Sequence, residues 1–188
     1  MMNYDINMYD HINEILLTEE QIKTRVKEMA AEIYEEYKGK NPVFVGVLRG
    51  VCVFFSDFVR EFKDHCQFDF MCVSSYRGTQ STGECIITKD VTLELRNRHV
   101  IILEDIFDTG KSLDFTYNFL MTKKPASLKI VTLLDKPCRR KPWVTVKPDI
   151  VGFTVEDKFV VGYGLDYNEV YRNLPDIGVL DPKVYGGE

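Results

Sequence analysis

Between Val100 and Leu103, branched apolar residues follow one another with no polar interruption, the pattern of a strand buried on both faces. Glu104 and Asp105 end the run, and Ile106-Phe107 lead into the short turn Asp108-Thr109-Gly110-Lys111-Ser112. From Ser112 the spacing becomes helical. Leu113, Phe115, Tyr117, Phe119 and Leu120 predict a packing helix that stops before Pro125. The same strand–turn–helix order occurs earlier, with Pro42 to Leu48 as the strand and Arg49-Gly50 as the turn. Val51, Phe54, Phe55, Phe58, Val59 and Phe62 form the apolar face of the helix that follows. Ahead of it, Thr18-Glu19-Glu20-Gln21 is a capping box. It opens an amphipathic helix through Ile22, Val26, Met29, Ala30, Ile33 and Tyr37, closed by Gly39.

Further strands are expected over Phe68–Val73, Cys85–Leu93, Leu128–Leu134, Ile150–Val155 and Phe159–Tyr163. Ser74 to Gly83 is polar and punctuated by glycine, the composition of a long loop, and loops of that length in small domains are often lids. The alternation of elements predicts one α/β domain over residues 1–188. Its sheet is open, twisted and mainly parallel, flanked by helices, with a core over about 40–155. A smaller lobe is built from the chain ends, about 1–17 and 156–188.

A chain of 188 residues has room for one domain with a substantial core. The formal charge of −5 disfavours nucleic acid as a partner, because phosphate contacts dominate that affinity. No apolar stretch is long enough to span a membrane, and Met1 to Leu17 lacks the basic and apolar regions of a signal peptide. With no Ser-Lys-Leu ending either, the cytoplasm is the expected location. Cys52, Cys66, Cys72, Cys85 and Cys138 form no CxxC pair and are odd in number, so they read as reduced thiols. His11, His65 and His99 are scattered, and no structural metal site is expected.

The turn after the central strand carries the candidate chemistry. A helix N-terminus presents unpaired N–H groups and partial positive charge, which suits a phosphate. Gly110 permits close approach, and Thr109 and Ser112 add hydroxyls. Gly110-Lys111-Ser112 is also the ending of a P-loop, but that motif needs a glycine where Asp105 stands, and an acid there would repel a triphosphate. Two like charges about 4 Å apart repel by roughly 4 kcal/mol at an effective dielectric of 20. Neighbours on a strand face opposite ways, which lowers the cost. Such a pair suits ribose hydroxyls or a divalent cation, the alternative being solvated acids at a strand end.

The order apolar strand, Glu104-Asp105, two residues, Asp108-Thr109-Gly110-Lys111-Ser112 resembles the phosphoribosyl pyrophosphate motif of type I phosphoribosyltransferases. Leu48-Arg49-Gly50, Ser75-Tyr76, Asp135-Lys136 and the stretch Phe159 to Glu169 with Arg172 narrow the resemblance. From about Thr18 to Leu180 the chain is similar to the hypoxanthine-guanine phosphoribosyltransferases.

That resemblance implies the type I phosphoribosyltransferase fold with a small hood lobe. It implies purine salvage: hypoxanthine or guanine, with xanthine left open, reacts with phosphoribosyl pyrophosphate to give IMP or GMP (or XMP) and pyrophosphate. Asp108 to Ser112 would cradle the 5′-phosphate, and Glu104 and Asp105 would hold the ribose hydroxyls and Mg²⁺. Leu48, Arg49 and Gly50, in a loop that often has a cis peptide in this family, would receive pyrophosphate with Arg172. The family more often has lysine at position 49, and arginine replaces a point ammonium with a planar fork. Asp108 would act as general base for the purine N7 proton. Lys136 would donate to the 6-oxygen, Phe159 would stack on the base and Val160 would read its edge. Asp166 would contact the exocyclic amine of guanine and a second Mg²⁺. Ser75 and Tyr76 would begin the lid. The implied partners are these small molecules, with neither nucleic acid nor membrane, in a homodimer or homotetramer. An RNA-binding regulator on the same fold is disfavoured by the acidic balance, and a non-catalytic nucleotide-binding module by the carboxylate of Asp108.

Overall fold

A computed structural model describes residues 7–75 and 85–186 of the chain. Tyr76 and most of the expected lid lie outside the described residues. The strands are β1 (Ile12–Leu17), β2 (Val43–Leu48), β3 (Gln67–Ser75), β4 (Cys85–Lys89), β5 (His99–Phe107), β6 (Ser127–Asp135), β7 (Ile150–Thr154), β8 (Val160–Val161) and β9 (Ile177–Leu180). The helices are α1 (Glu19–Tyr37), α2 (Cys52–Glu61) and α3 (Lys111–Thr122).

Six strands form one sheet in the order β4-β3-β2-β5-β6-β7, parallel except where β4 runs against β3. The central strand explains its own sequence. Ile101 and Leu103 join the core beneath α1 and α2, while Val100 and Ile102 join the core beneath α3. All four are fully buried, and each such burial stabilises by about 2 kcal/mol. A strand with a core on both sides has no polar face to show. Helix α1 begins where the capping box requires it: the Thr18 hydroxyl accepts from the Gln21 N–H, and the Gln21 carboxamide accepts from the Thr18 N–H at 2.9 Å.

The second sheet is antiparallel and three-stranded, in the order β1-β9-β8, and so joins the two ends of the described chain. The register pairs Ile12 with Leu180 and Leu17 with Ile177. Neither β1 nor β9 stands out in the sequence. Their pairing is irregular, and β1 leaves three consecutive residues exposed, so the two-residue alternation of a half-buried strand never develops. The Tyr163 hydroxyl fastens this lobe to α2 by donating to Asp57 Oδ2 at 2.7 Å.

Two expected strands are shorter than the sequence suggests. The run expected over Cys85–Leu93 is a strand only to Lys89. Beyond it, the Asp69 carboxylate accepts from the Thr92 and Leu93 N–H groups and the Thr92 hydroxyl, and these bonds turn the chain out of the sheet. Burial alone would raise the Asp69 pKa. The N–H groups of Thr92, Phe70 and Leu93 outweigh it and hold that carboxyl at about 2. The run expected over Phe159–Tyr163 is a strand only at Val160 and Val161, because Gly162 and Tyr163 take positive φ values of 98° and 50°. Among the described residues no helix is long and apolar enough to cross a membrane.

Candidate active site

The C-terminal ends of β2, β5 and β6 open on one cleft of about 630 Å³, roofed by the loops around β8, the place where open α/β sheets bind ligands. At the end of β2, a cis peptide joins Leu48 to Arg49, and Gly50 follows. Asp105, near the end of β5, packs its carboxylate against Gly50 so closely that any Cβ there would collide with Oδ2. From the roof, Gly164 presses on the Gly50 carbonyl in the same way, with φ at +99°. Arg172 holds this corner together: Nη1 donates to the Gly164 carbonyl at 2.8 Å, and Nη2 lies 2.8 Å from Asp166 Oδ1 and 3.1 Å from Glu169 Oε2. Glu169 Oε2 also stands 3.2 Å from Arg49 Nη1.

A second group of cleft-wall residues is tied together by contacts of its own. Asp108 follows β5 directly, and Arg139 Nε lies 2.8 Å from its Oδ1. Arg139 Nη1 donates to Asp157 Oδ1 at 3.2 Å. Lys136, only 5% exposed, donates from Nζ to the Lys158 carbonyl at 2.5 Å, and its backbone N–H donates to the Phe107 carbonyl at 3.0 Å. Phe159 remains 42% exposed and stacks on Tyr185, with ring centroids 5.1 Å apart and planes at 30°. Tyr167 meets the same ring edge-on at 5.8 Å.

Arg49, Gly50, Asp105, Asp108, Lys136, Phe159, Val160, Asp166 and Arg172 therefore line one cleft. Leu48, Thr109, Gly110, Lys111 and Ser112 do not line it. The last four form the turn into α3, where Gly110 takes φ +82° and a Cβ would stand 2.8 Å from Val144 Cγ1. Ser75 ends β3. Ile106, Arg139, Asp157, Lys158, Leu165 and Tyr185 complete the cleft wall, and none of them is given a role by the sequence alone. The basic pair Arg139-Arg140 just past Lys136 is a local cue to one of them; Tyr185 has none.

Glu104 and Asp105 part company. Asp105 faces the cleft, whereas Glu104 is 7% exposed, does not line it, and leaves Oε2 without a hydrogen-bond partner. Burial, and then the charge of Asp105, push the Glu104 carboxyl well above the ordinary range. Burial pushes Asp105 up to about 6, against the Ile106 N–H and the Arg172 charge.

A family model for the phosphoribosyl transferase domain matches residues 13–168. The hypoxanthine-guanine phosphoribosyltransferase of Staphylococcus aureus strain Mu50 is 49% identical over 179 residues, covering 95% of this chain and 99% of that protein. The chain belongs to the hypoxanthine-guanine phosphoribosyltransferase family. A crystal structure of a hypoxanthine phosphoribosyltransferase from Staphylococcus aureus superposes with a TM-score of 0.90 at 47% identity, over 97% of this chain and 99% of that one. A hypoxanthine-guanine phosphoribosyltransferase of Bacillus anthracis does so with a TM-score of 0.83 at 40% identity, over 90% and 98%. The phosphoribosyltransferase fold expected from the sequence, a mainly parallel sheet with flanking helices, is the one observed.

Proposed function

We propose that this phosphoribosyltransferase joins hypoxanthine or guanine to the ribose of phosphoribosyl pyrophosphate and releases pyrophosphate, giving IMP or GMP. The observation that carries the reading is one cleft lined by two separately tied groups: Asp108 and Lys136, joined through Arg139 and residues 157–158 to the segment of Phe159, and Arg49, Asp105, Asp166 and Arg172, joined around Gly50, Gly164 and Glu169. The first set suits a 6-oxopurine. Phe159 offers a ring face, the Lys136 ammonium donates to the 6-oxygen, and Asp108 accepts the proton on N7 as the base bonds to the sugar. The second set suits a polyanion leaving a sugar, with guanidinium groups for its oxygens. The turn Asp108 to Ser112 at the start of α3 holds the 5′-phosphate through backbone N–H groups.

As the bond from the anomeric carbon to pyrophosphate breaks, its electron pair leaves with pyrophosphate and the sugar gains positive charge. Fixed carboxylates stabilise that charge, and they act strongly in a site of low dielectric. Mg²⁺ fits the residues present. Asp105 and Asp166 both face the cleft, while no group of three His, Cys, Asp or Glu side chains gathers among the described residues. Two carboxylates completed by substrate oxygens form a set that Mg²⁺ takes readily, and when bound the ion offsets charge on pyrophosphate. Glu104 is left out of this role because its carboxyl is buried away from the cleft wall.

The test is an assay with phosphoribosyl pyrophosphate, Mg²⁺ and each of hypoxanthine, guanine, xanthine and adenine. Hypoxanthine and guanine should give nucleotide, and adenine should be disfavoured by about 10⁴, because it places a donor where Lys136 needs an acceptor. Absence of nucleotide with every base would overturn the reading.

A further inference from the structure

We propose that Arg139 is a positioning residue that fixes the proton acceptor Asp108 relative to the aromatic shelf of Phe159, a role that rests on the function proposed above for those two residues. Arg139 ends a short 3-10 turn, Pro137–Arg139, just past β6, and lies on the cleft wall. Its guanidinium bridges two carboxylates from distant parts of the chain. Nε lies 2.8 Å from Asp108 Oδ1, and Nη1 donates to Oδ1 of Asp157, two residues before Phe159, at 3.2 Å. A planar fork with nitrogens on different edges can make that bridge, and an ammonium cannot make it equally well.

A second contact from the same loop reaches the same segment. Lys136 Nζ donates to the carbonyl of Lys158, the residue between Asp157 and Phe159. The loop after β6 therefore grips residues 157–158 at two points, and Arg139 extends the grip to Asp108 by a direct ion pair. Its neighbour Arg140 is committed elsewhere, paired with Asp135 and lying over the Phe107 ring.

Arg139 Nε meets Asp108 at Oδ1, an oxygen buried from solvent, although the Asp108 side chain as a whole is 36% exposed. The arginine thus takes the buried oxygen and leaves the other, Oδ2, for the N7 proton. An orienting group behind a general base is the arrangement that proton transfer favours.

The consequence is specific. Losing Arg139 frees the Asp108 carboxylate to rotate and loosens the Phe159 segment, so kcat should fall and the purine KM should rise. The KM for phosphoribosyl pyrophosphate should move far less, because Arg139 makes no contact with the groups assigned to pyrophosphate and the turn Asp108 to Ser112 is proposed to hold the 5′-phosphate by backbone N–H groups and not by the Asp108 carboxylate. The Arg139 side chain is 46% exposed, so its substitution should leave thermal stability nearly unchanged.

Steady-state kinetics of Arg139→Gln, Asp108→Asn and the double variant test this. Arg139→Gln alone should lower kcat about tenfold. In the Asp108→Asn background it should cost less than about twofold, since the group it positions is gone. Arg139→Lys, which keeps the charge but loses the fork, should recover part of the rate. Equal losses in both backgrounds, or a rise in the phosphoribosyl pyrophosphate KM matching that for the purine, would overturn the role of Arg139. If Asp108→Asn left kcat at the wild-type value, the general-base reading itself would fall, and the proposal with it.

Discussion

The Asp105 carboxylate occupies the space into which a side chain at Gly50 would grow. Replacing Gly50 by alanine must therefore displace either the acid or the loop that carries Arg49. Gly50→Ala should lower kcat/KM for phosphoribosyl pyrophosphate by about tenfold or more, because small misplacements at a reacting centre are costly. Kinetics with each substrate varied in turn would check it; a loss confined to the purine KM would contradict the pyrophosphate role proposed for this loop.

Asp108→Ala removes the proposed proton acceptor while leaving the N–H groups of the α3 turn in place. The expected loss in kcat is about 10²- to 10⁴-fold, the usual contribution of general acid–base catalysis. Binding of phosphoribosyl pyrophosphate, measured by calorimetry, should weaken far less. Comparable losses in both would point to a phosphate-binding role alone.

Lys136 holds its ammonium against the Lys158 carbonyl in a nearly fully buried position. Lys136→Ala should raise the KM for hypoxanthine and guanine and narrow the gap between oxopurines and adenine. It also leaves the Lys158 carbonyl without its partner, worth about 1 kcal/mol of stability. Unchanged oxopurine turnover in a folded variant would mean that Lys136 does not read the base.

Tyr185, just past the 3-10 turn at Pro182–Val184, backs the ring of Phe159. Tyr185→Ala should raise the purine KM severalfold with little change in the KM for phosphoribosyl pyrophosphate, and Tyr185→Phe should restore it, since the stack and not the hydroxyl is at issue. Aromatic pairs of this kind contribute about 0.5–1.5 kcal/mol beyond their burial.

Asp69 gives the fold an acid limit. Its carboxyl is held at about 2, below the ordinary value of 3.8, so the folded state favours the charged form. That stabilisation is fully present above about pH 5 and is lost as the pH falls through 3.8 toward 2. The shift corresponds to about 2 kcal/mol. Urea unfolding of the parent protein and Asp69→Asn at pH 7, 4 and 2.5 should show the two stabilities converging as the pH falls; a constant gap would place the stabilisation elsewhere.

The legible parts of this molecule are those whose causes are local. Thr18 and Gln21 satisfy each other's N–H groups within one turn, so the start of α1 can be read from four letters. Val100 to Leu103 shows an unbroken apolar run because a core lies on both sides of the strand. The run of Asp108 to Ser112 into α3 carries its glycine where the backbone turns left-handed. Along with the motifs at Leu48 to Gly50, Lys136 and Phe159 to Arg172, these elements determine the fold class and the family.

Only the tertiary structure decided which of those residues share a space. The pleat of β5 sends Asp105 into the cleft and buries Glu104 away from it, although the two are adjacent in sequence. The bridge from Arg139 to Asp108 and Asp157, the stack of Tyr185 on Phe159 and the pairing of β1 with β9 each join segments far apart along the chain. Periodicity and capping are written within a few residues, whereas these contacts arise only when separate elements pack, so no window of the sequence contains both partners.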